Sequence, residues 1–247
     1  MVVRVRSEAC LSSLLSLLTV LARGGEPLDL DLPYTPETVV KEADGEALAA
    51  FPYYGETYEG SAVVFVLDLS GSVRGCRLES LKDETQRAIA ALPAEAEFNV
   101  LGFHDGVEAL SSSGLVKATE ANRARARAWV DGLKVPPQAN SNLWGAVKQA
   151  FGDLAKSRRH CRTVIIVHDG EPQTVELFGP PALESALSLI ALLNRGKAVT
   201  VHTIYVERSP DDRGKDGNQL SFAEREAFLK EVAGQNRGTY RYVPCSR

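Results

Sequence analysis

Cysteine is scarce in this chain, and its spacing argues against metal or redox chemistry at sulfur. The 247 residues include four, Cys10, Cys76, Cys161 and Cys245, with no CxxC pair and no Cys/His cluster. That excludes the usual zinc and thioredoxin-type motifs. Basic charge is not in excess either. Lys and Arg number 28 against 32 Asp and Glu, a formal net charge of -4, so general binding to nucleic acid or an anionic membrane lacks its driving force. No apolar run reaches the roughly 20 residues of a comfortable membrane-spanning helix. The GxSxG, HExxH, P-loop and GxGxxG patterns are also missing, which removes the common signatures for hydrolases, zinc proteases and nucleotide binding. What is present is the balance of a globular protein, with 44% hydrophobic and 24% charged residues. A chain of this length buries roughly 70–75% of its unfolded surface and needs no disulfide framework to fold. It suits one large domain, or one domain plus a small extension.

The first 22 residues bear on the compartment. Arg4 and Arg6 precede an apolar run from Ala9 to Ala22, and Val20-Leu21-Ala22 is a small-residue cleavage pattern. That is the layout of a secretory signal peptide. The alternative is an amphipathic helix, with Leu11, Leu14, Leu15, Leu18 and Leu21 on one face. Removal of residues 1–22 gives an exported protein, secreted or periplasmic; retention gives a cytoplasmic one. Removal also takes Cys10 and leaves three cysteines, from which no pairing is deducible. Residues 23–60 are punctuated by Pro27, Pro33, Pro36 and Pro52 and hold Tyr34, Tyr53, Tyr54 and Tyr58. They read as a linker or an arm that packs its aromatic rings on the domain at 61–247.

From residue 61 onward strands alternate with helices. Ala62–Leu67 (AVVFVL) and Thr163–Val167 (TVIIV) are continuous β-branched runs, as in strands buried on both faces. Phe98–Phe103 and Val199–Val206 are further strands, Val107–Leu110 a short edge strand, and Thr239–Val243 the last. Helices are expected over Leu78–Leu92, stopped by Pro93, and over Glu120–Leu133 with Thr119 as N-cap. Others are expected over Leu143–Ala155, Ala182–Asn194 and from the capping box Ser221-Phe222-Ala223-Glu224 to Ala233. Arg123, Arg125 and Arg127 read as a solvated helix face. The alternation predicts a three-layer α/β sandwich with helices on both faces of a mostly parallel, Rossmann-like sheet. In such folds the ligand site lies beyond the carboxyl ends of the strands.

Those strand ends hold oxygen donors. Asp68-Leu69-Ser70-Gly71-Ser72 follows the first buried run, with a carboxylate and two hydroxyls at alternate positions. Asn140-Ser141-Asn142 precedes a helix, and His168-Asp169-Gly170 follows the second buried run. Hard oxygens of this kind suit Mg²⁺ or Mn²⁺ and not zinc. The segment DRGKDGN at residues 212–218 fails the EF-hand template, since its third position is Gly214 and its twelfth is Ala223; it reads as a polar loop.

The segment VVFVLDLSGSV resembles the von Willebrand factor type A (VWA) domain, and its D-x-S-G-S pattern resembles that family's metal-ion-dependent adhesion site. FNVLGFHDGV, NSNLWGAV, VIIVHDGEP and FLKEVAGQNRGTYRYV are similar to later family segments in the same order. The resemblance spans about Ser61 to Val243, nearly three-quarters of the chain. It implies metal positions at Asp68, Ser70, Ser72, Ser141 (where the family usually has Thr) and Asp169. The serines would bind the ion directly, the aspartates directly or through water. His168 stands where the family often has Thr and is expected at the rim with His104 and Asp105, since imidazole matches a hard ion poorly. The implied function is a non-enzymatic protein-binding module. It holds Mg²⁺, with Mn²⁺ or Ca²⁺ as substitutes, and grips a partner's carboxylate through the ion. The alternatives are an intracellular VWA subunit of a chelatase- or ATPase-type machine and a metal-free interaction domain.

Overall fold

The computed structural model describes residues 40–43, 46–137, 139–206 and 220–244. The N-terminal segment 1–22, Tyr34, and the polar loop at residues 212–218 lie outside them. Five strands run parallel: β4 (Ala62–Asp68), β5 (Glu97–Phe103), β8 (Arg162–His168), β9 (Val199–Val206) and β10 (Tyr240–Val243). Two short ones, β6 (Val107–Ala109) and β7 (Val116–Lys117), lie antiparallel against β5. The sheet order is β10-β9-β8-β4-β5-β6, with β7 on β5 off this path.

Period-two alternation divides the strand residues between two cores. On one face Val63, Phe65, Leu67, Ile165 and Val167 pack beneath α1 (Cys76–Ala91) and α2 (Glu120–Asp131). On the other Val64, Val66, Val164 and Ile166 pack beneath α3 (Leu143–Lys156), α4 (Gly179–Leu193) and α5 (Phe222–Gln235). The expected three-layer sandwich is therefore observed. Thr119 caps α2 by accepting from Asn122 N–H, and the Ser221/Glu224 capping box is complete. The structure starts α4 three residues ahead of the expected Ala182. Pro180 and Pro181 fall in its first turn, where a missing N–H is tolerated. In α2, Arg125 and Arg127 are exposed, whereas Arg123 is half-buried and donates to Leu92 O at 2.6 Å.

Residues 40–43 and 46–60 form regular structure. β1 (Val40–Ala43), β2 (Glu46–Tyr53) and β3 (Glu56–Gly60) make an antiparallel sheet in the order β1-β2-β3. The two-residue turn Tyr54-Gly55 has φ of 48° and 77°, the primed-turn geometry that suits a tight hairpin. Among the described residues β1 pairs only as far as Ala49, so one side of Pro52 has no described strand to bond. Phe51, Tyr53 and Tyr58 are buried with the α1 and α2 core. Phe65 of β4 meets Phe51 edge-on at 5.8 Å and Tyr53 at 5.4 Å. Tyr53 Oη shares a 2.9 Å hydrogen bond with Thr85 Oγ1, and Tyr54 N–H donates to Glu84 at 2.9 Å. Cys76 heads α1, while Cys161 precedes β8 at the opposite end of the sheet, where its carbonyl accepts from Ser61 N–H. Each is disulfide-bonded.

The small sheet thus belongs to the same core as the domain it precedes. Tyr53→Ala is expected to lower stability by about 3–5 kcal/mol, as for other large buried aromatics, and Tyr53→Phe by about 1 kcal/mol for the lost hydrogen bond. Denaturant unfolding should show one transition with a lowered midpoint. Two transitions in the wild type would separate the small sheet from the core.

Candidate metal centre

Asp68 ends β4, and the chain turns at once. Its Oδ1 accepts from Ser70 N–H at 2.7 Å, an Asx-type turn. Leu69 N–H donates to Phe103 O at 2.7 Å, and the Leu69 side chain lies over Gly102, where a Cβ would come within 2.6 Å of it. A single 3-10 turn, Gly71–Val73, follows. Ser70 and Ser72 share a 2.9 Å hydroxyl hydrogen bond. Buried Arg77 of α1 donates to Ser72 O.

Backbone hydrogen bonds join the other strand-end loops to this one. Gly71 N–H donates to Ala139 O at 3.1 Å. Ser141 exchanges two backbone bonds with Gln173, at 3.1 and 2.9 Å, tying the loop before α3 to the loop after β8. Asn142 N–H donates to His104 O at 2.8 Å, and Asn140 Nδ2 to Asp105 Oδ1 at 2.5 Å. After β8, Asp169 Oδ1 accepts from Glu171 N–H at 3.0 Å. Gly170 takes φ +80°, and a Cβ there would lie 2.7 Å from Arg225 Cβ of α5. The turn is therefore closed against the last helix.

Asp68, Ser70, Ser141 and Asp169 are all buried, and Ser72 is half-buried. Asp68 and Asp169 converge with His168, each offering one ligand atom within 4.8 Å of the others. His104 is half-buried and Asp105 exposed, and both bond to the loop before α3. His168, expected at the rim, is buried. It is 1% exposed, because β8 alternation turns it to the same face as Ile166. Its Nε2 lies 2.8 Å from Ser141 Oγ, 3.5 Å from Asp68 Oδ2 and 3.9 Å from Asp169 Oδ1. Its Nδ1 accepts from Gly170 N–H at 3.0 Å. Sequence reasoning also missed Glu171, half-buried and 3.8 Å from Arg225.

Burial, and then the charge of Asp169, pushes the Asp68 carboxyl up to about 8, against the pull of the Ser70 N–H. Burial holds His168 below its ordinary range although Asp169 and Glu171 pull it up. Burial and Asp169 raise Glu171. Asp68 Oδ2 is buried with no hydrogen-bond partner, a costly condition for a carboxylate oxygen unless something positive meets it. Two carboxylates and three hydroxyls fit a hard divalent ion, whose charge would reverse the penalty on Asp68.

Fold and site together define a three-layer α/β domain with oxygen donors gathered at the strand ends. The family model of the von Willebrand factor type A domain matches residues 61–212, and the chain belongs to that family. Inter-alpha-trypsin inhibitor heavy chain H2 of Sus scrofa is 24% identical over 187 residues, 69% of this chain and 20% of that protein. Heavy chain H3 of Rattus norvegicus is 29% identical over 186 residues, 73% of this chain and 19% of that protein. The chain thus spans about a fifth of the length of these relatives. Among solved structures, a von Willebrand factor type A protein from Catenulispora acidiphila shares the fold with a TM-score of 0.56 at 19% identity, over 80% of this chain and 41% of that one. The vWF domain of the type V pili tip protein Mfa5 from Porphyromonas gingivalis gives 0.57 at 13%, over 74% and 89%. No helix among the described residues is long and apolar enough to cross a membrane.

A raised Asp68 pKa favours the folded state at low pH, and that advantage is lost as pH rises through about 8. Asp68→Asn keeps the Oδ1 acceptor and removes the charge. With chelator present, the variant should match wild type near pH 4 and become the more stable of the two as pH rises. The gain should reach a few kcal/mol, since each tenfold change in proton affinity is worth about 1.4 kcal/mol. Thermal unfolding from pH 4 to 9 measures this. A variant less stable than wild type above pH 8 contradicts the burial penalty.

Proposed function

We propose that this domain is a divalent-cation-dependent protein-binding module that engages an acidic group of a partner through the ion. The observation that carries the reading is the orphaned, fully buried Oδ2 of Asp68 beside Asp169, within a set of loops joined by backbone hydrogen bonds. Asp68, Ser70, Ser72, Ser141 and Asp169 would hold the ion. Mg²⁺ is the first choice, with Mn²⁺ or Ca²⁺ able to substitute. Two carboxylates balance one divalent charge, the hydroxyls add none, and Mg²⁺ ordinarily keeps exchangeable waters. A bound ion supplies the charge that attracts a further carboxylate, and the rim residues His104 and Asp105 border the approach. The partner is a protein presenting that carboxylate.

Binding fits these residues better than catalysis does. A metal-assisted hydrolase needs a general base near the reacting atoms. Both nitrogens of His168 are engaged, and those of His104 face Glu108 and Gly106 N–H, both at 3.4 Å. An exported protein, with 61–247 as the binding domain, accords with the apolar run at Ala9–Ala22 and with the disulfide bonds of Cys76 and Cys161, which persist in oxidising compartments.

Calorimetric titration of Mg²⁺ and Mn²⁺ is expected to give saturable one-to-one binding that Asp68→Ala abolishes. No heat in the wild type, or undiminished binding in the variant, would overturn the proposal.

A further inference from the structure

The cluster of Asp68, His168 and Asp169 has the outward form of a mixed nitrogen-oxygen centre, which would favour a transition ion over Mg²⁺. The hydrogen bonds oppose that reading. An imidazole that ligates through Nε2 must carry its proton on Nδ1 and donate it to a carboxylate, carbonyl or water. His168 Nδ1 instead faces Gly170 N–H, a donor, at 3.0 Å. Two N–H groups cannot meet at that distance, so a neutral His168 carries its proton on Nε2. The fold holds this arrangement in place. The ring is fully buried and packs at 5.7 Å on Phe103. The Gly170 turn that presents the N–H is closed against α5, with Arg225 O 2.9 Å from the place a Cβ would take.

We infer that His168 is a hydrogen-bond donor into the ion site and not a ligand, and that it competes with the cation for Ser141 and Asp68. Its Nε2–H occupies a lone pair of Ser141 Oγ at 2.8 Å and turns partial positive charge toward Asp68 Oδ2 at 3.5 Å. A cation would make the same demands on both atoms. His168 therefore lowers the affinity of the site and denies imidazole-preferring ions a nitrogen ligand. This rests on the ion-site reading above and sets the affinity and selectivity of that same site.

Three measurements on the full chain test it. Long-range ¹H–¹⁵N correlation should show His168 protonated at Nε2 and bare at Nδ1; the opposite tautomer overturns the inference. Pulsed EPR of the protein titrated with Mn²⁺ should show no directly bonded ¹⁴N, and a strong nitrogen coupling overturns it. These two use the wild type, so they stand even if a substituted protein does not fold. In calorimetry, His168→Thr should bind Mg²⁺ about tenfold more tightly, the gain from releasing one competing hydrogen bond. Normal wild-type binding with equal or weaker binding in the variant sinks this inference and leaves the ion site standing. No binding in either protein sinks the ion site and this inference with it. Binding in the variant alone overturns the ion-site reading for the wild-type chain, and this inference with it.

Discussion

Two carboxylates held out of water side by side set the terms for the surrounding structure. Asp68 and Asp169 are brought together by strand register. Leu67 of β4 pairs with Val167 of β8, so Asp68 and His168 come level one residue later and Asp169 follows at the turn. The loops then close around them through backbone bonds: Gly71 to Ala139, Ser141 to Gln173, and Asn142 to His104. Each bond joins segments distant in sequence, and backbone donors and acceptors hold position better than long side chains do.

The topology explains why this point and no other carries the site. From β4 the chain crosses to β5 on one side, and after β5, β6, β7 and α3 it returns to place β8 on the other. The crossovers diverge at β4, and the loops after β4 and β8 part there. A crevice at such a switch point is where doubly wound sheets place their ligands. The parallel strands aim the C-terminal residues of both at one rim, so a short motif after each is enough to build a converging site.

That much was legible in the chain. The uninterrupted apolar runs AVVFVL and TVIIV fixed the central strands, because only strands covered on both faces tolerate such runs. The acidic and hydroxyl residues just after them marked the rim. The small sheet of β1, β2 and β3 was obscured by Pro52, which reads as a break until it is placed in β2 opposite Thr57 of β3. β7, two residues long, carries no periodic signal at all. His168 was readable in part. Period two counted from Ile166 turns it inward, but the partner that selects its tautomer is a backbone N–H, and no sequence pattern records where that points. The Ser141–Gln173 bridge is likewise a tertiary fact with no local signature.

The turn after β8 links the site to the last helix. Gly170 has no side chain because Arg225 of α5 occupies that space, and Glu171, next along the turn, faces the same arginine at 3.8 Å. Asp169 therefore cannot shift along the sheet without disturbing the packing of α5 on the turn, and any displacement of α5 acts on Asp169 and His168 together. Two like charges buried at this point favour whatever arrangement separates or neutralises them. The strand register and the closed turn deny them separation, which leaves neutralisation, by proton, by the His168 N–H or by cation, as the route the fold leaves open.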